Sequence, residues 1–443
     1  MPPAVPQVDC PVDWRLYTFE TRSRNALPLH HGCADIERVN EYRVKEYSYL
    51  IVGGGMVADS AARGIRELDP VGSIGIIAEE EAAPVTRPAL TKKLWTDPDF
   101  TFDKVWLNTE SDTHATRHPG QRAVTIDRAR HTVRTDDGNG YGYQKLLLAT
   151  GGSPRTLDLP NDEKVIYFRS VEDYRRLRAL AGEGRRIAVV GGGFIGTELA
   201  AALAQNDTDV LLIFPENTLG ASVFPDDLAR RFHGLYEHAG VTLMAGTKLE
   251  RGSSDEGRID IELSTGAHLD VDAVVVGLGI EPNTDLAVHA GIEVDNGVVV
   301  DDRLHTSDPL IFAAGDIASY PDKILGRTRI EHVDNATSMG RQAGRNLAGA
   351  DEPYDHTPYF YSVIFGNRYE AIGTLDASLT TVEEWNEDRD AGVVYYVDDG
   401  RVAGVLLWNV ENQRDAARAV IDQAEDVRVD ALRGSIPVPN LGQ

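Results

Sequence analysis

The sequence predicts an α/β fold in which one strand–turn–helix unit occurs twice, followed by a mainly antiparallel C-terminal part. An apolar strand, three glycines and an amphipathic helix appear in LIVGGGMVADSAARGI (50–65) and again in IAVVGGGFIGTELAAAL (187–203). A second apolar strand ending in an acid follows each unit, as SIGIIAEEE (73–81) and DVLLIFPEN (209–217). This order is typical of a β-α-β unit.

The two glycine turns have the pattern that accommodates a dinucleotide. The pattern GxGxxA/G is filled by Gly53, Gly55 and Ala58 in the first unit and by Gly191, Gly193 and Gly196 in the second. The first glycine permits a tight turn, the second lets the backbone approach a pyrophosphate, and the third position must be small. The helix that follows directs free N–H groups toward the phosphates. Both units are therefore predicted to be Rossmann-like domains.

An acid follows each turn at the distance expected for a ribose-binding residue. Glu79 lies 21 residues after Ala58, and Glu216 lies 20 residues after Gly196. A carboxylate there binds a ribose 2′-hydroxyl and repels a 2′-phosphate. Neither of the two residues that follow Glu216 is a cation that could offset its charge. The second domain is therefore predicted to prefer NADH over NADPH.

A third glycine motif indicates which nucleotide each domain binds. Gly315 and Asp316 follow a late apolar strand, where a Gly-Asp pair usually holds the ribityl chain and pyrophosphate of a flavin. This strand returns to the first domain, so the second domain is an insertion. The first domain is predicted to hold FAD and the second to receive NADH.

The predicted organisation has four parts. Residues 1–45 form an N-terminal extension, residues 46–175 and 300–352 the FAD-binding domain, residues 176–299 the NAD-binding domain, and residues 353–443 a C-terminal α+β or interface domain. In this last part, GVVYYVDDGRVAGVLLWNV (392–410) predicts a hairpin with an Asp-Gly turn, and a helix is predicted over roughly 411–424.

Composition and charge exclude several classes of protein. The 443 residues are 42% hydrophobic and 26% charged, which is typical of a globular protein. The net charge is 44 − 70 = −26, which argues against nucleic acid or an anionic membrane as a partner. No apolar run approaches the length of a membrane span, and no signal peptide is recognisable, so a cytoplasmic protein is predicted.

Cysteine usage excludes a redox-active dithiol. Cys10 and Cys33 are the only cysteines, and they do not form a CxxC pair. His30, His31 and Cys33 lie close together, but no further ligand follows at a usual spacing, so no metal site is predicted.

Eight segments carry a resemblance to a known family. The chain resembles the two-dinucleotide-binding-domain flavoproteins, the FAD-dependent pyridine-nucleotide oxidoreductases, and within them the apoptosis-inducing factors. The segments are RPALTKKLW (87–95), GGGFIGTELA (191–200), LIFPEN (212–217), GIEPN (279–283), AAGDIASY (313–320), RIEHVDNA (329–336), YEAIG (369–373) and VLLWNVENQ (405–413). The likeness runs from about Tyr47 to at least Ile421.

The resemblance implies a set of cofactor-binding residues. On the FAD side they are Gly53, Gly54, Gly55, Met56, Val57, Glu79, Glu80, Arg87, Lys92, Ala123, Arg169, Asp316, His332 and Val333, with Lys92 near the flavin N5. On the NADH side they are Gly192, Gly193, Phe194, Ile195, Glu216, Gly279, Glu331 and Glu370. Tyr361 stands where the family has a tryptophan beside the nicotinamide, a departure that could change nicotinamide affinity and loosen the stacking.

Four residues are predicted to act in the chemistry. Phe194 and Glu198 lie four residues apart on one helix face, which is predicted to open toward the flavin. Phe194 is a candidate gate, with ordinary packing as the alternative. Glu198 needs a buried partner, and Lys92 is the predicted one, the alternative being two solvated charges. His332 is predicted beside the flavin edge at the start of a helix near Asn335, with ordinary packing as its alternative.

Three functions are consistent with these residues. The first is an NADH oxidoreductase that passes electrons to a quinone or small oxidant. The second is a reductase that supplies a ferredoxin or rubredoxin. The third is an NADH-responsive redox sensor with little turnover. A homodimer, formed constitutively or promoted by NADH, is expected in each.

Overall fold

The computed structural model describes residues 44–423 and 429–440, and its first sheet forms the core of the first unit. Lys45–Val52 pairs in parallel with Ile74–Ile77 on one side and with Gly140–Leu148 on the other. Ile311–Ala313 pairs in parallel with Gly140–Leu148, so the late strand returns to the first sheet as predicted. Thr116–His118, Ala123–Asp127 and Thr132–Thr135 complete this sheet.

Two helices of this unit pack against each other at short distance. The helix Met56–Leu68 follows the first glycine turn and buries Ala58, Ala61 and Ile65 completely. It packs on the helix Val333–Leu347, and a Cβ at Gly344 would lie only 2.0 Å from the carbonyl oxygen of Ala61. Small residues at this crossing bring the start of the second helix next to the first glycine turn.

The second sheet is wholly parallel and belongs to the inserted unit. Its strands, in spatial order, are Thr242–Met244, Asp209–Ile213, Arg186–Val190, Ala273–Val276 and Val165–Tyr167. Their near-continuous apolar sequences suit strands that are covered on both faces. The helices around it are Val171–Leu180, Phe194–Ala204 and Asp226–His238, and an antiparallel sheet of Leu249–Asp255, Arg258–Leu263 and His268–Val271 packs beside it.

We propose that the inserted unit begins earlier in the chain than residue 176. The predicted boundary at residue 175 falls inside the helix Val171–Leu180, and Val165–Tyr167 pairs with the second sheet. After Ile280–Pro282, the helix Asp285–His289 packs in the first core. We therefore propose crossover points between residues 152 and 165 and between 277 and 285. Gly152–Pro154 and Ile280–Pro282 pair with each other there.

The C-terminal sheet is antiparallel, as predicted. Its strands, in spatial order, are Tyr359–Ile364, Asn367–Gly373, Arg401–Trp408, Gly392–Asp398 and Thr380–Trp385. The predicted hairpin is confirmed, with Asp399 and Gly400 between its strands. The last predicted helix is shorter than expected and spans Arg414–Ile421, because the backbone is left-handed at Asn409 and Asn412 before it starts.

The remaining elements connect these sheets. They are the strands Val298–Val299, Ala318–Asp322 and Gly326–Thr328, the helices Lys93–Thr96, Thr109–Thr113 and Val429–Leu432, and the 3₁₀ turns Arg87–Leu90, Phe102–Val105 and Gly315–Ile317. None of the helices in the described ranges is both long enough and apolar enough to cross a membrane. The predictions for Cys10, His30, His31 and Cys33, and for nearly all of the N-terminal extension, lie outside the described residues.

Candidate active site

The two glycine turns have the same local geometry. Gly53 has φ +124°, and a Cβ there would lie 2.0 Å from the carbonyl oxygen of Ala149. Gly191 has φ +119°, and a Cβ there would lie 2.4 Å from the carbonyl oxygen of Gly277. In each unit the turn crosses the end of a neighbouring strand at a distance that only glycine permits. The similarity of the two turns supports one nucleotide-binding role for both.

Both turns border one cleft of about 1300 Å³, which also reaches the C-terminal sheet. This volume exceeds the roughly 300–1000 Å³ of an ordinary small-molecule pocket. Most residues predicted for the site line the cleft. They are Gly53, Gly54, Gly55, Met56, Val57, Glu79, Glu80, Arg87, Lys92, Ala123, Arg169, Gly193, Phe194, Ile195, Glu198, Gly279, Asp316, Glu331, His332, Val333 and Tyr361.

Three predicted residues lie outside this lining. Gly192 and Glu216 are adjacent, since a Cβ at Gly192 would lie 3.5 Å from Glu216 Oε2 beyond the second glycine turn. Glu370 is 2% exposed and lies within the C-terminal sheet, where Arg368 and Arg414 hold its carboxylate. A direct contact between Glu370 and NADH therefore has no support in the geometry, because the carboxylate is already enclosed.

The predicted pair of Lys92 and Glu198 is present. Lys92 Nζ lies 2.7 Å from Glu198 Oε1, and the two side chains are 14% and 3% exposed. Lys92 precedes the short helix Lys93–Thr96, whereas Glu198 belongs to the helix after the second glycine turn. The ion pair therefore joins two distant segments of the chain at the cleft, and the alternative of two solvated charges is wrong.

Two hydroxyl groups that the sequence did not indicate complete this cluster. Thr91 Oγ1 donates to Glu198 Oε2 at 2.5 Å, and Ser362 Oγ donates to Glu198 Oε1 at 2.7 Å. Ser362 comes from the C-terminal sheet, so three parts of the chain meet at one carboxylate. Such hydrogen bonds offset the cost of burying the charge. No local pattern could have found them, since serine and threonine are common in strands and turns.

Two further ion pairs position arginines along the cleft. Arg87 Nη2 lies 2.5 Å from Glu80 Oε1, and Arg87 Nη1 donates to the carbonyl oxygen of Arg169 at 2.7 Å. Arg169 Nη2 lies 2.8 Å from Asp316 Oδ2. These contacts link the 3₁₀ turn at Arg87 to the late Gly-Asp motif. The resulting edge of the cleft is rich in fixed N–H donors, which suits a pyrophosphate.

Aromatic side chains close the cleft near the start of the helix Val333–Leu347. His332 precedes this helix, which begins two residues before Asn335, and stacks on Phe360 with centroids 4.7 Å apart. Phe194 packs edge-on against Phe360 at 4.8 Å yet stays 37% exposed. Burial lowers the pKa of His332 to about 4, although Asp316 and Asp334 oppose that change. The imidazole is therefore neutral at physiological pH.

We expect His332 to make the folded protein less stable in acid. The imidazole of His332 takes up a proton near pH 6.5 in the unfolded protein but only near pH 4 in the folded protein. Protonation therefore favours the unfolded state between these values, and the contribution of neutral His332 to the free energy of unfolding, complete above pH 6.5, is lost as the pH falls toward 4. His332→Gln should therefore flatten the fall of the urea midpoint between pH 7.5 and 4. His268→Gln is the control, because hydrogen bonding to Asp260 raises the pKa of that exposed histidine. Equal slopes for wild type and His332→Gln would contradict the expectation.

The cleft has the features that a flavin and a nicotinamide nucleotide need. The two turns provide close backbone approach, and the arginine-rich edge provides donors. Phe194, Ile195 and Leu278 line the cleft, and each keeps 37% of its surface exposed. Exposed apolar side chains in the wall of a cleft can pack against a planar ring system. The donor set and the apolar wall therefore fit FAD in the first unit and NAD(H) against the second.

Two dinucleotide-binding units that open onto one cleft, with a buried ion pair in its lining, define a flavoprotein oxidoreductase that uses FAD and NAD(H). Comparison with known proteins agrees. The family described as pyridine nucleotide-disulphide oxidoreductase matches residues 47–340, and the chain belongs to this family. The C-terminal family of apoptosis-inducing factor matches residues 343–391 and 383–423, so the protein is of the apoptosis-inducing-factor type.

Individual relatives support the same assignment. The chain is 32% identical to apoptosis-inducing factor 1, mitochondrial, of Dictyostelium discoideum over 86% of its own length and 79% of that protein. It is 36% identical to the ferredoxin–NAD(+) reductase component of the anthranilate 1,2-dioxygenase system of Burkholderia cepacia, over 84% and 93% of the two chains. The chain spans 65% of the length of a longer relative, the putative apoptosis-inducing factor 1, mitochondrial, of Drosophila melanogaster.

A solved structure shows the same fold. The reductase in the covalent putidaredoxin reductase–putidaredoxin complex superposes with a TM-score of 0.79 and is 27% identical, over 88% of this chain and 95% of that one. The disulphide in the family's name has no counterpart among the described residues, because both cysteines of the chain precede residue 44. The same ranges, 44–423 and 429–440, contain no group of histidine, cysteine and acidic side chains that could hold a metal.

Proposed function

We propose that the protein oxidises NADH and passes the electrons to a small-molecule acceptor such as a quinone. The observation that carries this proposal is the cleft that both glycine turns border, with the Lys92–Glu198 pair in its lining. Bound FAD would supply the hydride-accepting chemistry. The turn at Gly53, the donors Arg87 and Arg169, and Asp316 would hold the flavin nucleotide.

The side chains of the chain contribute orientation and charge. The ammonium of Lys92, fixed by Glu198, would place a positive charge beside the flavin and stabilise the electron-rich reduced ring. The start of the helix Val333–Leu347 adds a partial positive charge at the cleft. Phe194 covers the cleft from the second unit, so its ring must yield or stack when the nicotinamide enters.

We expect Glu216 to set the preference for NADH. Its carboxylate follows the second strand of the inserted unit and lies beside Gly192, where a ribose 2′-phosphate would be repelled. Glu216→Gln should improve kcat/KM for NADPH relative to NADH by roughly tenfold, equivalent to about 1.4 kcal/mol. The measurement is steady-state kinetics with both donors. Glu237→Gln, on the helix Asp226–His238, is the control and should leave the ratio unchanged.

The function is tested by an anaerobic NADH titration of the purified protein, followed by absorbance from about 400 to 800 nm and then by exposure to air. A bleached flavin spectrum that recovers quickly in air supports a working reductase. Reduction with a long-wavelength band that persists in air would favour the redox-sensor hypothesis instead. A protein that binds no FAD would contradict both.

A reductase for an iron–sulfur protein is the second candidate. It is favoured by the similarity to a ferredoxin–NAD(+) reductase component and to the reductase of the putidaredoxin complex. The net charge of −26 disfavours an acidic protein partner, because like charges slow association. Turnover with a ferredoxin that exceeds turnover with a quinone by tenfold or more would select this candidate.

We also propose a cytoplasmic homodimer. The small number of cysteines, two in 443 residues, supports a reducing compartment such as the cytoplasm. Sedimentation velocity with and without NADH tests the assembly. A single species at monomer mass under both conditions would contradict the dimer, and fractionation of cells tests the location.

A further inference from the structure

Glu370 is enclosed by two arginines from different elements. Arg368 Nη2 lies 2.5 Å from Glu370 Oε1, and Arg414 donates to both carboxylate oxygens at 2.6 and 2.7 Å. Burial raises the pKa of Glu370, but the hydrogen bonds from Arg414 and Arg368 outweigh it and leave the pKa below its usual value. We call these three side chains the arginine clamp.

Both arginines of the clamp also lie on tyrosine rings of the neighbouring strand. The guanidinium carbon of Arg368 is 4.8 Å from the centroid of Tyr361, and that of Arg414 is 3.6 Å from the centroid of Tyr359. Tyr361 lies directly opposite Glu370 in the strand register. Cross-strand and diagonal neighbours on one face of a sheet are in contact, so the clamp and both rings form one layer.

This layer reaches the cleft through Tyr361. Tyr361 lines the cleft and lies on Tyr359–Ile364, which is the edge strand of the C-terminal sheet. Lys92 Nζ lies 5.3 Å from the centroid of the same ring. The Tyr361 ring therefore contacts Arg368 of the clamp and Lys92 of the ion pair. An edge strand supports its side chains from one neighbouring strand only, so these contacts decide how firmly the ring is held.

We propose that Arg368 and Arg414 are positioning residues that fix the Tyr361 ring as a wall of the cleft and thereby set the affinity for the nicotinamide nucleotide. Arg368 acts on the ring directly. Arg414 acts through Glu370, since it holds the carboxylate that orients Arg368. Their planar guanidinium groups are needed because they bond a carboxylate and stack on a ring together. The inference rests on the proposed function, because it assumes that the nucleotide binds in this cleft.

The test compares Arg368→Met, Arg414→Met and Arg368→Lys with wild type in the FAD-containing protein. Calorimetric titration with NAD⁺ gives a dissociation constant without turnover, and steady-state kinetics give KM and kcat for NADH. We expect Arg368→Met to raise both the dissociation constant and KM about three- to fivefold, as for loss of one cation–π contact, with kcat changed less than about twofold. Arg368→Lys should recover part of this loss, and Arg414→Met should show a smaller effect in the same direction.

Arg389→Met is the matched control. It removes an arginine from the ring of Trp385 in the same sheet, at 5.6 Å and outside the cleft lining, and should leave NAD⁺ binding unchanged. If Arg368→Met alone does not fold, the double variant Arg368→Met/Glu370→Gln, which also removes the buried carboxylate charge, takes its place. Unchanged NAD⁺ binding in a folded, yellow Arg368→Met protein, or a fall in kcat alone, would overturn the inference. Failure of the wild type to bind NAD⁺ would instead contradict the proposed function.

Discussion

Replacing Lys92 with methionine is expected to slow reduction of the flavin by NADH roughly 100-fold, a typical effect of removing one fixed charge or donor from a transition state. Methionine keeps most of the side-chain volume and removes the ammonium that lies 2.7 Å from Glu198 Oε1. Stopped-flow absorbance under anaerobic conditions measures the rate directly. Because the carboxylate keeps the hydroxyl donors Thr91 and Ser362, we expect a loss of stability of about 2–3 kcal/mol, below the full cost of an orphaned buried charge.

The neighbouring residue provides the control for this experiment. Lys93→Met removes an exposed cation of the same helix, whose Nζ lies over the ring of Phe100 rather than in the cleft. This variant should be reduced at the wild-type rate. If Lys92→Met and Lys93→Met proteins, both with full flavin content, were reduced equally fast, Lys92 would have no part in the hydride transfer.

Replacing Gly193 with alanine is expected to weaken NADH binding about tenfold or more while leaving the fold intact. A Cβ at Gly193 would meet no protein atom within 4 Å, so the substitution causes no clash in the free protein. The residue lines the cleft and occupies the second glycine position of its turn, where the backbone must approach a pyrophosphate. The methyl group would therefore collide only with a bound nucleotide. Overpacking of this kind typically costs roughly 1–3 kcal/mol, which here would be lost from the free energy of binding.

Titration with NADH or NAD⁺, together with a thermal melt, separates the two effects. Gly234→Ala is the matched control, since its Cβ also meets nothing within 4 Å but lies on the helix Asp226–His238, away from the cleft. Gly234→Ala should melt at or above the wild-type temperature, because alanine favours a helix interior. Gly193→Ala should melt slightly below it, because Gly193 caps its helix and alanine is a poorer N-cap. Only Gly193→Ala should lose affinity. Undiminished binding by Gly193→Ala would mean that the nucleotide does not approach this turn.

The sequence alone indicated the units and most of the cleft because the chemistry of a dinucleotide site is local. A glycine turn, the helix after it and an acid beyond the next strand lie within one short segment. The spacing at Gly53 and at Gly191 therefore predicted both turns. The need of Glu198 for a partner could also be predicted, because a carboxylate on an inward helix face requires one. The family resemblance, which implied that Lys92 lies along the flavin, indicated that partner. The resemblance to a family supplied the remaining residues on the flavin side.

Only the tertiary structure decided what joins the units. Thr91 and Ser362 reach Glu198 because three elements meet there, and neither residue type is distinctive in its own segment. The family resemblance implied that Glu370 contacts NADH, yet two arginines, one from a neighbouring position and one from a later helix, enclose its carboxylate. Local sequence specifies a turn, since its atoms are consecutive in the chain. It does not specify which distant side chains neutralise a buried charge, because that depends on how sheets and helices pack.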